Sequence, residues 1–287
     1  MPFQTYGDEE KKTIDCLKGM STLPSVKSLE IEQSNISELA VGHILDKTPC
    51  VTSLVIWDIA RDTFPAERVI SKWLDCTALA KNIAGKQVPD THSPHPPRSK
   101  ALEHLSISIT FYDSDPNNYE ISRSSLKLGG AYECGRFGNI DAPVEFGIKG
   151  SFGSMKNFTS LKILEISPPV LFGWHVAGAL PLADILPNSL SKLTLLNEMS
   201  HWVSFQWHFE TLNTQLRAFV ESKDRGRLRV IEYHIFEDVF TRWKVDISEL
   251  RKLCKTVDIR FETVSRERGD EEYDWDDVYD EVRFDNR

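Results

Sequence analysis

The chain carries eight histidines and five cysteines, the residue types from which a metal centre or a nucleophilic site is most readily built. Their spacing assembles neither. His92 and His95 in THSPHPP stand at i, i+3, a separation that suits a metal. The prolines around them forbid a helix, however, and no acid or cysteine cluster accompanies them, so the segment reads as a solvated loop. His201 and His208 in HWVSFQWHF share one face if that segment is helical, among Trp202, Phe205, Trp207 and Phe209, which favours packing over ligation. Cys134 in GGAYECGRFGN would need a base to act as a nucleophile, and the glycines around it match neither a dinucleotide fingerprint nor a Walker loop. GSFGS at 150–154 lacks the G-x-S-x-G spacing of a nucleophile elbow. Asp113, Asp141 and Glu145 are acids that nothing pairs. The expectation is a protein that is not an enzyme, with no catalytic residue, no metal ligand and no cofactor.

What does recur is a strand. In SLKILEISPPVLFGW, residues 160–174, Leu161, Leu164 and Ile166 follow the frame hydrophobic-x-x-hydrophobic-x-hydrophobic, and two prolines end the run. The same frame begins at Val26 (VKSLEI), Val51 (VTSLVI), Leu102 (LEHLSI), Leu190 (LSKLTL), Leu228 (LRVIEY) and, more weakly, Cys254 (CKTVDI). The intervals are 25, 51, 59, 29, 38 and 26 residues, three of them in or near the roughly 20–29 of leucine-rich repeats. The fourth and sixth positions of each frame point one way off a strand and the third, fifth and seventh the other. Between the frames, ISELAVGHILDK, PAERVISKWLDCTALAKNIAG, SFQWHFETLNTQLRAFVESK and DISELRKLCK carry apolar residues at helical spacing. Pro65 suits a first helical turn, and Asp246 or Ser248 suits the cap of the last helix.

These elements predict an α/β fold: an irregular leucine-rich-repeat solenoid of stacked short parallel strands alternating with helices. It spans residues 1–264 as one domain. Residues 85–100 read as a surface loop, and about 112–158 as a long, loop-rich insertion with one or two short strands packed by Phe137, Phe146, Phe152 and Phe158. Residues 265–287 read as an acidic, disordered tail bearing Tyr273, Trp275, Tyr279 and Phe284.

Bulk properties exclude whole classes of function. A net charge of −9 and a pI near 5.4 argue against nucleic-acid or anionic-membrane binding, which needs clustered Lys and Arg. No signal-peptide pattern opens the chain and no stretch nears the roughly 20 apolar residues of a membrane helix. The cysteines 16, 50, 76, 134 and 254 are odd in number and never in a C-x-x-C pair, which reads as reduced, mostly buried thiols in the cytosol or nucleus.

At GSFGSMKNFTSLKILEISPPVLFGW, PLADILPNSLSKLTLLNE and ISELRKLCK followed by VDIRFE, the chain resembles a group of fungal leucine-rich-repeat proteins, many of them F-box or F-box-like. The resemblance covers roughly 100–264. It implies a solenoid that holds a protein partner, sometimes as the substrate-recognition arm of a cullin-type ubiquitin ligase. Residues 1–25 are too short and too polar to be an F-box. The asparagine that commonly follows a rung is replaced by Ser34, Ile59, Pro169, Glu198 and Phe236.

The expected function is therefore protein–protein interaction on the strand-lined face; the alternatives are a ligase receptor whose F-box is missing or lies outside this chain and, third, an enzyme of unknown class using acids such as Asp113, Asp141 and Glu145. Outward frame positions supply the candidate partner-binding residues Trp57, His104, Glu165, Lys192, Glu232, His234, Asp258 and Arg260. Aromatic and arginine side chains are enriched among interface hot spots. Glu30, Glu165, Glu232 and Asp258 would make the face locally acidic and suit a basic partner.

Overall fold

A computed structural model of the chain describes residues 6–32, 36–60, 74–85, 98–110, 148–196, 207, 209–222, 224–236 and 247–266. Six of the seven frames form strands, β1 (Ser28–Ile31), β2 (Ser53–Ala60), β4 (His104–Thr110), β6 (Ile163–Ile166), β7 (Lys192–Leu196) and β8 (Val230–Phe236), and the seventh strand, β9 (Arg260–Arg266), begins just past the frame at Cys254. Two short strands, β3 (Leu74–Asp75) and β5 (Ile148–Lys149), pair with each other in parallel, apart from the main sheet. The other seven strands make one sheet whose spatial order follows the chain, β1-β2-β4-β6-β7-β8-β9. Every neighbouring pair is parallel. The strands at the two ends, β1 and β9, are not paired with each other, so the described sheet is open.

The register aligns frame with frame. Leu29, Leu54, Leu105, Leu164, Leu193, Ile231 and Phe261 are successive partners across the sheet. Behind them run Ile31, Ile56, Ile107, Ile166, Leu195, Tyr233 and Thr263. Both rows are fully buried in the middle strands and half-buried at the edges, at Leu29 and Ile31 of β1 and at Thr263 of β9. The same apolar cluster takes in Leu45 of α2 (Glu38–Lys47), Leu79 and Ile83 of α3 (Cys76–Ala84), Leu212 and Leu216 of α7 (Phe209–Glu221) and Leu250 of α8 (Ser248–Thr256). One face of the sheet is thus dry and helix-covered, as alternation along each strand requires. Val170 of α5 (Pro168–Phe172) and Leu182 of α6 (Leu182–Ile185) fill the same core between β6 and β7. Trp207 stacks on Phe172 at 4.4 Å and donates to the Gly173 carbonyl at 2.8 Å.

Several boundaries differ from the sequence reading. The pattern in 65–85 predicts one helix, but Leu74–Asp75 is a strand and α3 starts at Cys76, with Asp75 as its cap; Pro65 lies outside the described residues. The last helix is capped by Ile247, with Ser248 already helical and no side-chain cap bond, and Asp246 lies outside the described residues. The insertion is shorter than expected at its end: from Ile148 onward the chain belongs to the main body, where Phe152 and Phe158 join the core. Residues 111–147, with Phe137, Phe146 and Cys134, lie outside the described residues. The expected loop at 85–100 ends in a helical turn, α4 (Arg98–Ala101), in which Ser99 is buried. Residues 6–19 form a helix, α1 (Tyr6–Gly19), that the sequence reading did not assign. The described cysteines 16, 50, 76 and 254 are free thiols, with Cys76 and Cys254 buried and Cys16 exposed. No helix among the described residues is long and apolar enough to cross a membrane.

Candidate interaction face

The face opposite the core is built from the odd positions of the frames. Parallel strands stand about 4.8 Å apart, so aligned residues are lateral neighbours. One row reads Ser53, His104, Ile163, Lys192, Val230 and Arg260. The next reads Val55, Ser106, Glu165, Thr194, Glu232 and Glu262. Apolar Val55, Ile163 and Val230 are half-buried among the polar groups.

The polar side chains interlock across strands. Ser53 Oγ lies 3.0 Å from His104 Nδ1, and His104 Nε2 stands 3.9 Å from Glu165 Oε2. Lys192 Nζ reaches Glu232 Oε2 at 3.0 Å. His234 Nε2 lies 2.7 Å from Glu232 Oε1; since an ionised carboxylate only accepts, the proton sits on Nε2. The His104 imidazole holds Glu165 below the usual carboxylate range, outweighing partial burial, with help from Ser106 and Lys192. Burial pushes Glu232 up, but His234 and Lys192 together bring it below its ordinary value.

Six of the eight expected site residues, His104, Glu165, Lys192, Glu232, His234 and Arg260, therefore lie on one face. Trp57 lies on β2, but its side chain is outside the described part of the structure. Asp258 is not on the face. The frame CKTVDI falls on the end of α8 and the turn after it, where Asp258 takes φ 58°; the true strand starts at Arg260, whose register partner is Val230. Arg260 keeps an outward position and donates to Glu262 Oε1 at 3.0 Å. The face is consequently not simply acidic: of the expected carboxylates, Asp258 is elsewhere and Glu232 has one oxygen on Lys192 and the other on His234. Ser53 and Glu262 were missed. Ser53 occupies the third position of VTSLVI, and Glu262 appears once the last frame is moved forward to IRFE.

The order serine, histidine, glutamate along Ser53–His104–Glu165 resembles a hydrolytic relay. An oxyanion site would need free backbone N–H groups beside the hydroxyl. The amides of Thr52 and Ser53 donate to the Lys27 carbonyl, and those of Glu103 and His104 to the Thr52 carbonyl, so the local donors are spent on the sheet. Among the described residues, no group of three or more His, Cys, Asp or Glu could hold a metal. His92, His95, His201, His208, Asp113, Asp141 and Glu145 lie outside the described residues. A small cleft of about 200 Å³ on the helical side, between Asp46, Asn82 and Arg98, is bridged internally by the Arg98–Asp46 ion pair at 3.1 Å.

Compared with protein-family models, with curated proteins and with solved structures, the chain gives no match.

Proposed function

We propose that this chain is a non-enzymatic scaffold of the leucine-rich-repeat type that binds a protein partner on its strand-lined face. The supporting observation is the strand order. In a doubly wound α/β sheet the order reverses and leaves a ligand crevice at the switch point. Here seven parallel strands follow the chain without reversal, with the core on one side and a mixed apolar and polar surface on the other. Such a surface, with half-buried Val55, Ile163 and Val230 beside interlocked charges, has the composition of a protein interface.

The test is affinity capture from the native host with wild type and an Ile163→Lys/Glu165→Lys variant. The variant is expected to keep its circular dichroism spectrum and lose the captured partner. Capture at normal yield would place the site away from this face. Adaptor and cullin peptides in the captured fraction would assign the ligase-receptor role.

A further inference from the structure

On the same face, the hydrogen-bond inventory is unbalanced at one place. Glu232 has both oxygens engaged, by Lys192 and by His234. Glu165, two strands away, has His104 Nε2 at 3.9 Å, beyond direct hydrogen-bond reach. Between the two carboxylates, in register with both, lies Thr194. Its side chain is 1% exposed and its Oγ1 makes no hydrogen bond. On the other side of Glu165, in the same row, Ser106 is equally buried; it helps to lower the Glu165 carboxyl, but its Oγ stands outside hydrogen-bond geometry. Buried hydroxyls without partners are costly and uncommon. The two hydroxyls and His104 Nε2, which also makes no hydrogen bond, can supply at most one donor each, fewer than the acceptor sites of Glu165 and the hydroxyls together, and Lys192 is committed to Glu232.

We propose that Glu165, Ser106 and Thr194 form a subsite for an arginine side chain of the partner. This rests on the interaction-face reading and names what that face recognises. A guanidinium brings five donors and a permanent charge to a site short of donors. Glu165 accepts the charge-assisted bonds and the hydroxyls take the remaining donors. The entrance is Glu165 itself and the adjoining row: the His104, Glu165 and Lys192 side chains are 29%, 23% and 31% exposed. Opening the floor breaks no hydrogen bond at Thr194, because it makes none. Neutral partners bury Glu165 further without bringing it a full counter-charge, which is the source of selectivity.

The probe is a fluorescent peptide with a single arginine, compared with its citrulline and norleucine counterparts, titrated by anisotropy against the intact chain. Saturable binding of the arginine peptide is expected, with Glu165→Gln weakening it by about tenfold or more. Thr194→Val should weaken it, whereas Thr194→Ser, which keeps the hydroxyl, should restore it. Glu249→Gln removes an equal charge from exposed α8 and should change nothing. No saturable binding, or equal loss in Glu165→Gln and Glu249→Gln, overturns the subsite; in that case an ordered water satisfies the hydroxyls. If the peptide fails while Ile163→Lys/Glu165→Lys still abolishes capture, the face reading stands and only the arginine subsite falls.

Discussion

Glu165 and Glu232 show how a single position acquires its chemistry from strands remote in sequence. Glu165 is flanked by His104 and Lys192 from the two neighbouring rungs, and Glu232 takes Lys192 from the rung before it. Both carboxyls titrate lower in the folded chain than in the unfolded one. They contribute stability that is present above the ordinary carboxylate range, about pH 4, and that is lost as pH falls through their depressed folded values. A Glu165→Gln/Glu232→Gln protein should therefore show a flatter acid limb when urea midpoints are followed from neutral pH downward; an acid limb parallel to wild type would mean that other groups carry it. Leu164 belongs to the opposite face, fully buried in the central strand. Leu164→Ala should cost about 2–5 kcal/mol through the cavity it leaves, read as a lower urea midpoint at unchanged slope.

At the scale of elements, caps and turns hold the rungs in register. The Asp75 carboxylate accepts from the Ala78 amide at 2.8 Å, and Lys149 from β5 stands 3.8 Å away, so one side chain both starts α3 and ties it to the β3–β5 pair. Asp75→Ala should destabilise by about 1 kcal/mol, while Asp75→Asn, which keeps a capping oxygen, should lose less. Gly226, in the turn before β8, has φ +59° and sits so close to the preceding rung that a Cβ would meet the Asn188 carbonyl oxygen at 2.7 Å. That neighbour is backbone and cannot swing aside. Gly226→Ala is expected to cost more than about 1 kcal/mol, with thermal unfolding as the measurement. Gly85 makes a similar approach to the Arg98 side chain, whose guanidinium donates to the Gly42 carbonyl and joins α2 to α4.

For the whole molecule, one apolar cluster runs through all seven rungs, but the rungs are not equally protected. The apolar residues of β1 remain half-buried while their counterparts in β2 are sealed. Local opening follows contact density, so amide exchange at Ser28–Ile31 should be much faster than at Ile163–Ile166. Equal protection would show that something outside the described residues covers the β1 edge.

The six strong frames could be recognised in the sequence because a buried row demands Leu or Ile at the fourth and sixth positions and tolerates variety between them. Periodicity alone thus identified the strands, their inward residues and the helices at 38–47, 209–221 and 248–256. It failed at Cys254, where a helical spacing of apolar residues imitates the frame and only pairing with β8 sets the register four residues on. Sequence also named His104, Glu165, Lys192, Glu232 and His234 as outward residues, yet read their charges as a sum. Whether a carboxylate is free or neutralised depends on which strand lies beside it, at what register. That is a property of lateral pairing between residues far apart along the chain. The same reason hid Ser53 and left Ser106 and Thr194 as ordinary outward residues, when their burial without hydrogen bonds is what distinguishes the centre of the face.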